Sequence, residues 1–143
     1  MRNGGGLYLA WLVALVATLG SLYFSEVRHF VPCTLCWYQR ILMYPLAIVL
    51  GIASYRQDTA IRVYVLPLSI LGMGFALYHV LEQRIPGFGA PGLCKAGIPC
   101  SLHYIDWLGF ITIPLLSLTA FTLITLLLAT LRRGRDARLR TGA

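Results

Sequence analysis

The chain has 143 residues, of which 58% are apolar and only 12% are charged, and its formal net charge is +7. Soluble proteins carry about 25% charged residues, so this composition, with a mean hydropathy of +0.74, excludes an ordinary soluble domain. Long apolar runs separated by short charged segments instead predict an integral membrane protein.

Four apolar runs follow one another along the chain. They occupy residues 7–24, 41–54, 63–81 and 107–131. A spanning helix needs about 20 residues, so the first, third and fourth runs are long enough and the second is short by itself. Pro45, Pro67 and Pro114 lie inside runs, which bundled membrane helices tolerate. We therefore predict an all-α fold, a bundle of four transmembrane helices that forms a single domain over residues 1–143.

The distribution of basic residues predicts the orientation of the bundle. Of the twelve Lys and Arg residues, eight lie at the N-terminus, between the second and third runs, and in the tail after residue 131. Cytoplasmic segments are enriched in Lys and Arg, so both termini are predicted to be cytoplasmic. The first run is predicted to be a retained helix, because it lacks a small-x-small cleavage site before Glu26. The basic tail directly follows a predicted span, so we expect contact with anionic membrane lipid there and no binding to nucleic acid.

The stretch VPCTLCWYQR places a C-x-x-C pair, Cys33 and Cys36, in the first external loop. A disulfide across this spacing closes a very small loop and would stabilise the fold little. Pro32 suits the first position of a helix, whose N-terminus would favour the thiolate form of both cysteines. The pattern favours a redox pair, and the predicted spans become about 7–25, 32–55, 62–81 and 107–131.

Two polar residues lie inside the predicted spans at matching depths, about one helical turn deeper than this pair. Arg40 follows Cys36 by four residues, on the same helical face and in or just below the outer interface. A charge there is costly and suggests function, the alternative being a side chain that extends to the lipid headgroups. Beside Cys36, the guanidinium could stabilise negative charge on a quinone carbonyl oxygen as a thiolate attacks the ring. His79 lies near the external end of the third run, and three interpretations of it stay open. It is a hydrogen-bonded polar side chain without a catalytic role, a hydrogen-bond donor to the second carbonyl of the quinone, or a proton carrier.

A second cysteine pair, Cys94 and Cys100, lies in a Gly- and Pro-rich external loop, and this composition predicts a flexible and exposed segment. A structural disulfide is one interpretation. A mobile redox pair matches the surroundings better, because small residues flank it and Lys95 favours the thiolate form of Cys94. The segment SLHYIDWL that follows is amphipathic and is predicted to lie along the membrane surface.

These motifs, in this order, resemble the DsbB/BdbC family of disulfide-formation proteins. The residues that carry the resemblance are PCTLCWYQR after the first span, YHVLEQ at the end of the third, and a paired-cysteine loop before the fourth. The resemblance covers nearly the whole chain, and the short C-x5-C loop is similar to that of the compact BdbC-type members. It implies an oxidoreductase of the bacterial plasma membrane whose cysteines are all extracytoplasmic.

The resemblance also implies a relay of electrons through the two cysteine pairs. An extracytoplasmic thioredoxin-fold protein, DsbA- or BdbD-like, would attack the Cys94–Cys100 disulfide and form a mixed disulfide at Cys94. The pair Cys33–Cys36 would reoxidise the loop pair, and Cys36 would pass two electrons to a quinone, either ubiquinone or menaquinone. Arg40 would lie beside the quinone, a role that its spacing from Cys36 suggests independently. A role for His79 at the quinone depends only on its position in the third span.

The sequence leaves three other interpretations. In enzymes of the vitamin K epoxide reductase type the quinone-proximal C-x-x-C follows the loop cysteines, whereas here it precedes them. A non-enzymatic metal-binding protein could use the four cysteines with His29 and His103 to hold zinc. An oxidising compartment disfavours free thiols, however, and Arg40 would repel a cation, so no metal site is predicted. A purely structural four-helix protein leaves Arg40 and the small C-x-x-C loop unexplained.

The predicted orientation can be tested by labelling. After reduction of intact cells, a membrane-impermeant thiol reagent is expected to label all four cysteines. Labelling that occurs only after permeabilisation would contradict both the orientation and the relay.

Overall fold

Four long helices make up most of the computed structural model, which describes residues 2–29, 34–85 and 113–140, with side chains for 4–29, 34–85 and 113–131. They are α1 (Arg2–Leu22), α2 (Thr34–Arg56), α3 (Arg62–Arg84) and α4 (Ile113–Arg140). A π-helical turn, Tyr23–Val27, extends α1, and a 3-10 turn, Thr59–Ile61, precedes α3. No strand occurs within these described ranges. Helical geometry keeps every backbone hydrogen bond within one segment, as a bilayer interior requires.

Four helical segments, two of which include the adjoining π-helical or 3-10 turn, are long and apolar enough to cross a membrane. These segments are Gly4–Val27, Thr34–Arg56, Thr59–Arg84 and Ile113–Leu131. Pro45 and Pro67 lie inside α2 and α3 without ending them. The predicted fold class, an all-α bundle of four membrane helices, is confirmed.

The helices form a closed ring of neighbours. Helix α1 packs against α2 and α4, and α3 packs against the same two helices from the opposite side. The short connection between α2 and α3 makes these helices antiparallel. The end of α1 therefore lies beside the start of α2, at the same end of the bundle as the end of α3. The core contains small and branched apolar side chains that face the bundle axis, among them Leu7, Ala10, Ala14, Met43, Leu46, Leu50, Ile124 and Leu128.

The contact between α3 and α4 centres on Phe121, whose side chain is fully buried. Its ring occupies the space that a Cβ atom on Gly72 would need, so the absence of a side chain at Gly72 permits this close approach. Nearby, the Ser69 hydroxyl lies 3.2 Å from the Phe121 carbonyl oxygen and 2.6 Å from the Thr125 hydroxyl. Lipid tails are as apolar as the core, so close packing and interhelical hydrogen bonds of this kind hold membrane helices together.

Substituting Gly72 tests this contact. Gly72→Ala is expected to lower the free energy of unfolding by about 1–3 kcal/mol, because the new methyl group overlaps the Phe121 ring. Gly74→Ala is the matched control: it lies on the same helix, and a Cβ atom there meets nothing within 4 Å. The measurement is unfolding in detergent, and equal stabilities for the two variants would contradict the packing described here.

Candidate active site

A cavity of about 550 Å³ lies between α1, α2 and α4. Its lining comes from the C-terminal half of α1, the N-terminal half of α2 and the beginning of α4. Most of it is apolar, with Val13, Val16 and Phe24 on one side and Ala120 and Leu123 on another. Cavities of about 300–1,000 Å³ with apolar walls and a few polar groups are typical small-molecule sites.

One face of α2 contributes most of the polar lining. The cavity-lining residues of this helix are Cys36, Gln39, Arg40, Met43 and Tyr44. Their spacing of three and four residues is that of a single helical face. The structure thus places Cys36 and Arg40 on the same cavity.

The side chain of Arg40 lies over Trp37 of its own helix and reaches across to α1. Its Nη2 donates a hydrogen bond of 3.0 Å to the carbonyl oxygen of Ser21, and its guanidinium carbon lies 5.7 Å from the centroid of the Trp37 ring. The Tyr44 hydroxyl is 3.5 Å from the Ser21 hydroxyl. Ser21 shortly precedes the π-helical turn of α1, and such turns often occur at functional sites. These contacts hold a half-buried guanidinium against the cavity.

His79 lies in α3 and is 1% exposed. Its Nδ1 is 3.1 Å from Nε2 of Gln39, which is 6% exposed and belongs to α2. Among the described residues, Gln39 lines the cavity and His79 does not. The structure therefore links His79 to the cavity through Gln39.

Cys36 is half-buried near the start of α2. It packs with Phe75 and Tyr78 of α3 around the fully buried Leu35. Tyr38 stacks on Phe75 with 5.5 Å between ring centroids, which further attaches this end of α2 to α3.

The remaining predicted site residues, Cys33, Cys94 and Cys100, lie outside the described residues, as do Lys95 and the amphipathic segment after it. Both cysteine pairings accordingly stay predictions. Within the described ranges, no group of three or more His, Cys, Asp and Glu side chains could hold a metal ion.

Sequence reasoning missed Gln39, Ser21 and Tyr44 as parts of the site. For Gln39 a signal was present, since an amide three residues from Cys36 inside an apolar span is costly unless it is hydrogen-bonded. Ser21 and Tyr44 carry no such signal, because their side chains are common in membrane helices.

Comparisons with known proteins give one consistent family. The family model described as Disulfide bond formation protein DsbB matches residues 5–131. The chain is 56% identical over 126 residues to Disulfide bond formation protein C of Bacillus subtilis, covering 88% of this chain and 91% of that protein. It is 49% identical over 134 residues to a Probable disulfide formation protein of Coxiella burnetii, with 93% and 91% covered.

A third relative, Probable disulfide formation protein C 1 of Bacillus anthracis, is 48% identical over 118 residues, which are 82% of this chain and 85% of that protein. No solved structure matches. The family match extends from the first turns of α1 to the end of the apolar part of α4 and includes the α2 face that lines the cavity. The chain belongs to the DsbB family of disulfide bond formation proteins.

Proposed function

We propose that this membrane disulfide-forming protein is a quinone-dependent thiol:disulfide oxidoreductase whose cavity holds the quinone ring. The observation that carries the proposal is the shared lining: one face of α2 presents Cys36 and Arg40 to the same apolar cavity. A thiol that can be oxidised and a cation that can stabilise negative charge thus border one space.

The chemistry of the lining fits a quinone. A quinone has a flat apolar ring, an apolar tail and two carbonyl oxygens that accept hydrogen bonds. Apolar side chains of α1 and α4 suit the ring and tail, and Arg40 and Gln39 carry N–H donors. Arg40 is the only charged group among the described lining residues, so the cavity favours an electron-rich oxygen and repels a metal cation.

Arg40 is in place before any negative charge forms. Its bond to Ser21 uses one of the five N–H groups of a guanidinium and leaves donors for a carbonyl oxygen in the cavity. A quinone, when bound, supplies an acceptor for two electrons and two protons. A donor held in position lowers the barrier because it needs no reorientation as charge develops.

The cysteines act by disulfide exchange. One thiol of the partner attacks the Cys94–Cys100 disulfide and forms a mixed disulfide at Cys94. The second partner thiol then displaces Cys94, so the partner leaves oxidised and the loop pair is reduced. The loop pair next reduces the Cys33–Cys36 disulfide by the same exchange. Re-forming that disulfide releases two electrons and two protons beside the cavity that Cys36 lines.

The partner that we propose is an extracytoplasmic thioredoxin-fold thiol oxidase. Such a protein, if DsbA-like, has a reduction potential near about −120 mV and needs a strong oxidant to be regenerated. A membrane quinone is available at the depth of the cavity. The one G-x-G-x-x-G match in the sequence, residues 87–92, lies in the predicted external loop between two membrane spans and so lacks the βαβ setting of a dinucleotide site.

Two cysteine variants separate the steps of the relay. Cys94→Ala is expected to abolish exchange with the partner while leaving Cys33–Cys36 oxidisable by quinone. Cys36→Ala is expected to block the quinone step and to trap a partner adduct at the loop pair. The measurements are single-turnover exchange with the partner and quinone reduction. Full oxidation of the partner by either variant would refute the ordered relay.

Arg40 variants test the cavity itself. Arg40→Ala is expected to slow quinone reduction by roughly 10²–10³-fold, the usual effect of losing one donor to a developing oxyanion. Arg40→Lys is expected to recover part of the rate, because lysine keeps the charge but not the planar fork. Exchange between the partner and the loop pair should be unchanged in both variants.

The matched control is Arg56→Ala, which removes an exposed arginine at the opposite end of α2. It is expected to leave both steps unchanged. Equal losses of quinone reduction and of exchange in Arg40→Ala would mean that Arg40 only holds helices together.

A further inference from the structure

The buried contact between Gln39 and His79 joins the cavity to a helix that does not line it. Gln39 lies in α2, borders the cavity and is 6% exposed, whereas His79 lies in α3 and is 1% exposed. Nε2 of Gln39 is 3.1 Å from Nδ1 of His79. Within the described part of the chain, the histidine is therefore connected to the cavity through the Gln39 amide.

The chemistry of an amide makes this contact directional. A glutamine side chain has two N–H donors and one carbonyl acceptor. If its nitrogen faces Nδ1, one N–H is used and one remains. If the amide is turned over, its oxygen accepts from Nδ1–H and both N–H groups remain. In either orientation Gln39 keeps at least one donor that His79 does not use.

Two other hydroxyls that line the cavity direct their protons into the protein. The Thr119 hydroxyl donates to the Leu115 carbonyl oxygen of its own helix, and the Tyr44 hydroxyl donates to the Ser21 hydroxyl. Arg40 donates one hydrogen bond to the Ser21 carbonyl oxygen, and its remaining N–H groups can donate to one carbonyl oxygen of a quinone. The other oxygen needs a second donor, and Gln39 is next to Arg40 in sequence and on the same cavity.

We propose that Gln39 donates the second hydrogen bond to the quinone ring and that His79 is a positioning residue that acts through Gln39. This inference rests on the proposed function of the cavity and names the residue that holds the far side of the ring. His79 contributes through its Nδ1, which fixes the amide, and its Nε2 makes no contact with the ring. The electron and proton balance of the reaction is unchanged, because neither residue exchanges a proton in this role.

The test measures binding of decyl-ubiquinone, and of a short-tailed menaquinone analogue, to the purified full-length protein in lipid nanodiscs. Gln39→Met keeps the length of the side chain and removes its donors, and it is expected to raise the dissociation constant about 5- to 10-fold, the effect of losing one hydrogen bond. KM for the probe should rise with little change in kcat, which is the pattern of a lost binding contact.

Two substitutions at His79 distinguish positioning from direct contact. His79→Leu removes both ring nitrogens and is expected to weaken binding as much as Gln39→Met. His79→Asn keeps a polar atom near the position of Nδ1 but has nothing at Nε2, so it is expected to restore near wild-type affinity. The double variant Gln39→Met/His79→Leu should bind no worse than Gln39→Met alone, because residues that act as one unit are not additive.

The matched control is Ser69→Ala, which removes a buried polar contact of α3 away from the cavity. It should lower stability without weakening probe binding; an equal loss of affinity would show that the His79 effect is merely structural and would overturn the inference.

Three further outcomes would overturn it: wild-type affinity in Gln39→Met, His79→Asn as weak as His79→Leu, or additive losses in the double variant. A wild-type protein that binds neither probe would overturn the proposed function as well, so the two failures are distinguishable.

Discussion

The arrangement of the helices depends on one constraint: a polar group in an apolar surrounding costs free energy unless it is hydrogen-bonded. Backbone groups are satisfied inside the helices, so the polar side chains that remain need partners on their own helix or on another one. Three of the contacts between helices each join a different pair. Ser69 links α3 to α4, Gln39 and His79 link α2 to α3, and Arg40 links α2 to α1. These bonds fix the angle at which each helix is turned about its own axis. Apolar packing alone defines this angle less well.

Two of these three contacts border the cavity, so the bonds that orient the helices also orient the site. Arg40 and Gln39 are adjacent on α2, and their partners lie on helices at opposite sides of it. The small-molecule space then falls between α1, α2 and α4, while α3 supports α2 from behind through Leu35, Phe75 and Tyr78. In the function we propose, this support keeps the donors of α2 in position while a quinone binds.

A cation and a cysteine border one cavity with mostly apolar walls, and the proposed electron transfer to a quinone depends on this arrangement. A mid-membrane arginine costs about 2.5–3.5 kcal/mol on insertion scales, and the cost is smaller near an interface. The Ser21 carbonyl and the Trp37 ring offset part of it. Membership in the DsbB family connects this arrangement with disulfide formation, and we propose that its electrons pass to a quinone in the cavity.

The sequence by itself determined the four helices and the shared face of Cys36 and Arg40, because apolar run length and helical periodicity are local properties. It also pointed to the family, because the cysteine motifs and their order are specific. It did not show which side chains on different helices contact one another. Ser21 is 19 residues from Arg40, and Gln39 is 40 residues from His79. Only the tertiary structure decided that His79 bonds Gln39 and that the cavity opens between α1, α2 and α4, because such contacts depend on how helices rotate and cross when they pack.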